Sequence, residues 1–442
     1  MKKFLLLLSL LFAVSCVSAI NNNNQQANAK EQEYKIYPEH LDFLCENVEL
    51  PNGKQSLLTH IYCEAPDYEY APAPGEGISC IDDVARAGVF YLDYYNVTKK
   101  AEYLEKVKRC AEFVLYLHQT DKDVPGYGYF YNFVYRKDGK LIINKDGITS
   151  KAEPGWWTWR AMWFLGYIYP EMKEKAPKLA ERIKPALDFT VQTMMKDFTF
   201  DGKIKTEKGI SYADWLPNDA ADQSAIILMG LVYYRDINTD SIVDTSVVSV
   251  MEKIGNGLLV GQVKDKESDV YGALLCWKNA WHGWGNNIGY SLLLAGRSLN
   301  NQKYIDAALL EINNFQKYMI NIDYLKEFNL EKVKNEPAKI IPETERKFEQ
   351  IAYAMRPMIY ACVEAYKITK DEKYINQADA LACWFFGKNP AKVVMYNPKP
   401  DLRKGLVYDG INSADSWNKN SGAESTIEAL LALQEIQSVK NI

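Results

Sequence analysis

Two adjacent carboxylates, Asp82 and Asp83, stand ahead of a long apolar run in CIDDVARAGVFYLDYY (80–95), and a late glutamate, Glu424, holds the same place in NSGAESTIEALLALQEI (420–436). Carboxylates at such positions have two uses. At a helix N-terminus they cap unpaired N–H groups and complement the macrodipole; Glu424 would then belong to a capping box with Ser421. Inside a cleft they move protons. Hydrolysis of a glycosidic bond takes one carboxylic acid of raised pKa and a second carboxylate that stays ionised, roughly 6.5–9.5 Å apart when water attacks with inversion. Neighbouring helical side chains diverge by about 100°. Asp82 and Asp83 are therefore expected to divide the two tasks, Asp82 as the cap and Asp83 facing inward on the same face as Arg86. Asp219 and Asp222 form a reserve pair.

Aromatic, amide and cationic residues cluster in the same kind of place. Glu153 precedes Trp156, Trp157, Trp159 and Arg160 in GWWTWRAMWFLGYIY (155–169), and Asp214, Trp215 and Asn218 lead into NDAADQSAIILMGLVYY (218–234). Trp281, His282, Trp284, Asn286 and Asn287 open WHGWGNNIGYSLLLAGRSL (281–299). Glu349, Tyr353 and Arg356 open QIAYAMRPMIYACVEAYKI (350–368), and Trp417 and Asn420 precede Glu424. Aromatic rings stack on sugar faces, amides and arginines hold hydroxyls, and carboxylates carry protons. Trp157 and Trp284 are the expected stacking platforms. The 30 Tyr and 10 Trp suit such a site, and they equally suit a large helical core.

The elements that must position these residues come from an internal repeat, at intervals of roughly 65–75 residues. Six times a polar stretch leads into a cluster of acids, amides or Trp and then about four apolar turns. Between the copies lie segments striped with charge: 102–119, 176–195, 243–259, 303–320 and 372–386, with EHLDFLCENV (39–48) as a sixth. Helices apolar all round are buried and striped ones face water on one side. Six of each, alternating, describe an all-α (α/α)6 toroid, one domain over 37–438. Its inner helices run parallel, so their N-termini gather in one funnel. NFVYRKDGKLIIN (132–144), with its Asp-Gly turn, is expected as an inserted β-hairpin, and 321–349 as a long rim loop or lid.

The chain opens MKKFLLLLSLLFAVSC, a charged start and an apolar stretch too short to span a bilayer, as in a secretory signal over 1–19. AVSC fits a lipobox with Cys16 lipidated; VSA, ending at Ala19, fits ordinary cleavage. Residues 20–36 would be a flexible tether, and the protein a monomer anchored at the periplasm or outer membrane. The net charge of −5 and the lack of basic runs argue against nucleic acid. Seven further cysteines without CxxC spacing read as small buried hydrophobes. With four scattered His, no metal and no cofactor are expected.

ADALACWFFGKNPAKVVMYNP (378–398) followed by NSGAESTIEALLAL resembles the C-terminal portion of family-nine glycoside hydrolases, within the six-hairpin glycosidase superfamily. The resemblance implies an inverting (α/α)6 glycosidase with Glu424 as general acid and Asp82 or Asp83 as base. The motifs depart from that family: its two aspartates are two residues apart, and its glutamate precedes Asn-Ala-Pro where Glu424 precedes Ser-Thr. Sugar 2-epimerases share the toroid but generally use two histidines, and only His282 opens an inner helix; His40, His60 and His118 do not. Two alternatives remain. One is a lyase of uronic-acid glycans using His282, Asn286, Asn287 and Tyr290 with Arg160 or Arg356. The other is a surface lipoprotein that binds glycans without catalysis.

Overall fold

The computed structural model describes residues 34–238 and 241–440. The signal segment and Cys16 lie outside these residues. Ordered packing begins earlier than the tether's expected end: Tyr34 is buried, stacks on Phe386 with ring centroids 5.6 Å apart, and donates to Asp379 at 2.8 Å.

Helices account for about half of the described chain: α1 (Glu39–Leu44), α2 (Ile81–Thr98), α3 (Ala101–Tyr116), α4 (Trp156–Lys175), α5 (Pro177–Asp197), α6 (Ala221–Ile237), α7 (Ser241–Val260), α8 (Ile288–Ser298), α9 (Gln302–Leu310), α10 (Lys317–Asn321), α11 (Ala352–Thr369), α12 (Lys373–Ala382) and α13 (Ala423–Lys440). Helices α2, α4, α6, α8, α11 and α13 each pack on the next, and α13 closes back on α2. This is the (α/α)6 toroid. The inner helices are buried over most of their surface; α2 buries every residue from Ile81 to Leu92 except Asp82. The outer α3 buries one stripe instead, including Tyr103, Val107, Cys110 and Val114. Burial on all sides versus one side is what the two sequence patterns encode. Where α2 must turn back into α3, Lys99 takes a left-handed φ of 57°, and Lys370 does the same after α11 with φ 60°.

The sixth outer helix is shorter than expected. Only Glu39–Leu44 is helical, and Cys45–Glu49 becomes strand β1, paired antiparallel with β2 (Gln55–Thr59). The Pro51-Asn52-Gly53 turn, with Gly53 at φ 77°, closes that hairpin and pulls its flanks out of helix.

Short sheets sit where chain enters the inner helices, among them the antiparallel pairs β3 (Tyr62–Glu64) with β4 (Glu69–Ala71) and β8 (Ile204–Glu207) with β9 (Ile210–Ala213). The expected hairpin forms from β6 (Phe133–Lys137) and β7 (Lys140–Ile143), with Asp138 and Gly139 both at positive φ, as a type I′ turn requires. It also pairs with β5 (Ser79–Cys80), whose chain continues directly into α2. Residues 321–349 are not a free lid: β11 (Glu327–Glu331) and β12 (Lys339–Ile340) extend β10 (Ala280–His282) into a three-stranded antiparallel sheet. The hairpin β13 (Gly410–Ser413) and β14 (Ser416–Asn418) leads into α13. All seven described cysteines are free thiols, and no described helix is long and apolar enough to cross a membrane.

Candidate active site

A cavity of about 320 Å³ opens among the first turns of α2, α4, α11 and α13. Four carboxylates line it: Asp82, Asp83, Asp409 and Glu424, with Arg86, Arg160, Tyr62 and Tyr353. Helix closure brings the first and last hairpins together, so residues some 340 positions apart share one wall.

Arg86 is the hub. Its Nη2 stands 2.7 Å from Asp83 Oδ1 and 3.3 Å from Glu424 Oε2, which holds these two oxygens within about 6 Å of each other. Its Nη1 donates to Glu428 Oε1 at 2.9 Å, and its Nε to the backbone oxygen of Asp82 at 2.9 Å. Glu428, fully buried one turn beyond Glu424, is shared with Arg356. Asp82 pairs with Arg160 and accepts from Asn132 Nδ2 at 3.2 Å. Arg160 also donates to the Tyr353 hydroxyl across the ring axis. The Tyr353 ring lies under three guanidinium groups, 5.0 Å from Arg86, 5.3 Å from Arg160 and 5.9 Å from Arg356.

The division of labour between the two aspartates differs from expectation. The N-cap of α2 is Cys80, no side chain caps the helix, and both Asp82 and Asp83 border the cavity. Both fit because their partners differ: Asp82 meets Arg160 of α4, and Asp83 meets Arg86, which itself reaches Glu424 and Glu428 of α13. Asp83 is almost sealed, with both oxygens engaged, one by Arg86 and one by the Cys80 thiol at 3.3 Å. Asp82 keeps 18 % of its side chain open and Glu424 45 %.

Charge around the cavity is unevenly balanced. Three arginines, Arg86, Arg160 and Arg356, match Asp83, Asp82 and Glu428. Glu424 and Asp409 are surplus. Depth inside the funnel costs a carboxylate its hydration. For Glu424 that burial raises the pKa, Arg86 opposes the rise, and Asp83 and Glu428 add to it. Burial likewise raises Asp409, to about 6, against hydrogen bonds from Ser425 and from the Gly422 N–H at 2.8 Å. Asp83 is raised by burial too, with Arg86 pulling the other way.

Asp409 and Glu428 escaped sequence reasoning. Glu428 had a usable signal, its i,i+4 spacing from Glu424 on one helix face. Asp409 had none, because it sits in an irregular approach to β13.

The tryptophans divide by rotation about their helices. Trp157 is buried, donating through Nε1 to the oxygens of Phe130 at 2.7 Å and Lys151 at 3.1 Å, so it pegs a loop and is no stacking platform. Trp159 and Trp281 are core, against Tyr129 and Phe198 and against Phe315 and Phe328. Trp156 is half-buried beneath Arg160, 5.5 Å from its ring. Trp284 is half-buried on His282, centroids 4.7 Å apart.

The opposite side of the funnel holds the other candidates. Asp222 pairs with His282, not Asp219: Oδ2 and Nε2 are 2.9 Å apart. Asn218 and Asp219 form a left-handed turn, φ 60° and 55°, just before α6. Asn287 is buried against the Gly285 oxygen and Tyr290 against Tyr360. Asn286 reaches Cys276 Sγ at 3.1 Å. The four groups of the lyase reading thus do not converge on one open space. Burial opposes a charge on His282, but Cys276 and Asp222 outweigh it and push its pKa up to about 11. Gly285 lets this loop touch Tyr353: its φ is 63°, and a Cβ there would lie 2.4 Å from the Tyr353 hydroxyl. The other histidines are committed elsewhere, His40 to Ser421, His60 to Glu46 and His118 to the Gly128 oxygen.

The sequence matches no protein-family model, and a search of curated proteins returns no match. Solved structures do match in fold. A sugar epimerase from a ruminal bacterium aligns at TM-score 0.62 and 12 % identity, over 94 % of this chain and 99 % of that one. Cellobiose 2-epimerases from Bacillus thermoamylovorans (TM-score 0.56, 13 % identity) and Spirochaeta thermophila (0.57, 11 %) each align over 94 % of this chain and 98 % of theirs. At these identities the likeness establishes the six-hairpin toroid and nothing finer.

Proposed function

We propose that this chain is a carbohydrate-active enzyme that hydrolyses a glycosidic bond in the Asp82–Glu424 cavity, with Glu424 as general acid and Asp82 as the base that activates water. The observation carrying the reading is the charge imbalance: five carboxylates meet three arginines, and burial raises the pKa of Glu424, Asp409 and Asp83. Of these, Glu424 keeps 45 % of its side chain open and can present a proton to a leaving group, as a general acid must. Asp82 is aimed by Arg160 and Asn132, while Asp83 serves to fix Arg86. Trp156 offers a half-buried ring beside Arg160 for a sugar face. The 320 Å³ space fits a short stretch of sugar rings.

Leaving-group dependence tests the acid. Glu424→Gln should lose about 10²–10⁴-fold on an ordinary disaccharide glycoside yet retain most of its rate on a dinitrophenyl glycoside, which leaves without protonation. Equal losses on both substrates would remove Glu424 from that role. The anomer released by the wild type, read by NMR, should be inverted.

Epimerisation, the activity of the proteins similar in fold, has less support: His282 has no second histidine to work with, since His40, His60 and His118 are bonded away from the cavity. Export and attachment through Cys16 complete the proposal, and radiolabelled lipid incorporation lost in Cys16→Ala is its check.

A further inference from the structure

We propose that Asp222, Cys276 and His282 bind one divalent transition-metal ion of the zinc class, at a site separate from the carboxylate cavity. The three residues come from distinct segments: the first turn of α6, the loop before β10, and the last residue of β10. One donor atom from each lies within 4.8 Å of the other two. None of them lines the carboxylate cavity.

The cluster is built before any ion arrives. Backbone hydrogen bonds tie its segments together: the Ala221 N–H donates to the Cys276 oxygen at 2.8 Å, and the Cys276 N–H to the Ala280 oxygen at 2.9 Å. The His282 ring is held by stacking on Trp284. Two donors point at the sulfur, the His282 N–H at 3.4 Å and Asn286 Nδ2 at 3.1 Å, the arrangement that stabilises a metal-bound thiolate. The ring nitrogen that faces the carboxylate is Nε2, 2.9 Å from Asp222 Oδ2, and it is the atom that would share an ion with it.

Donor chemistry selects the ion. Calcium and magnesium take oxygen ligands, whereas one thiolate, one imidazole and one carboxylate form a borderline-soft set suited to zinc or cobalt. Three protein ligands leave one coordination position for water or substrate.

The test is cobalt titration of the chelator-stripped full-length chain, using Co²⁺ alone. One equivalent should bind, giving visible ligand-field bands of a four-coordinate site and a near-ultraviolet thiolate-to-cobalt charge-transfer band. Cys276→Ser should lose the charge-transfer band, and His282→Ala should weaken binding at least about tenfold. A wild-type spectrum without the thiolate band overturns the proposal whatever the variants do. So does an unchanged spectrum in Cys276→Ser that still melts cooperatively.

Discussion

The funnel has two halves that use similar residue types to opposite ends. On one side, Asp82, Asp83, Asp409 and Glu424 surround open space, and three arginines supply less positive charge than the carboxylates require. On the other, Asp222 meets His282 and Cys276 in a compact cluster that lines no part of that space. Tyr353 is the wall between them, taking Arg160 from one side and Gly285 against its hydroxyl from the other. The contrast shows that an acid at an inner-helix N-terminus is not by itself a catalytic group. Charge balance and open volume around it decide which it becomes.

The largest effect should come from Asp82. Asp82→Asn keeps the shape facing Arg160 and Asn132 but removes the base, and should cost about 10²–10⁴-fold in kcat, measured on a substrate the wild type turns over. Retained activity would transfer the role to another carboxylate of the cavity and blur the distinction between the halves.

Arg86 should dominate stability. Arg86→Leu strands Asp83 as a buried charge without its partner and leaves Glu428 to Arg356 alone, and loss of one member of such a network costs about 3–5 kcal/mol. Urea unfolding followed by circular dichroism reads it.

Asp409 should shape the pH dependence. Its folded pKa, about 6, lies above the ordinary carboxylate value. Between roughly pH 4 and 6 the folded state therefore keeps a proton that the unfolded chain has lost, and stability falls as pH rises through that window. Asp409→Asn still accepts from Ser425 and Gly422 but has no proton to lose. It should be more stable than wild type at about pH 7.5, by up to about 3 kcal/mol, with the gain gone near pH 3.5; a gain that persists at low pH would contradict this account.

Smaller still is Trp157→Phe. It removes the donor to Phe130 and Lys151 and should cost about 1–2 kcal/mol in thermal unfolding, with KM unchanged. A raised KM would return Trp157 to the substrate surface.

The repeat and the ring were readable along the chain because all-round versus one-sided burial is a local property, written in every four residues of α2 and α3. The positions of Asp83, Arg86 and Glu424 were readable too, since a helix N-terminus announces itself by composition. Rotation about the helix axis was not. Trp156 and Trp157 are neighbours of one type, yet one lies half-buried beside Arg160 and the other pegs a loop. Nor could composition reveal Cys276 beside His282, which needs the turn before β10, or Asp409 beside Ser425, which needs the β13–β14 hairpin to fold back. Periodic burial is set by neighbours a turn away; ion pairs and orphaned charges are set by segments that meet only when the ring closes.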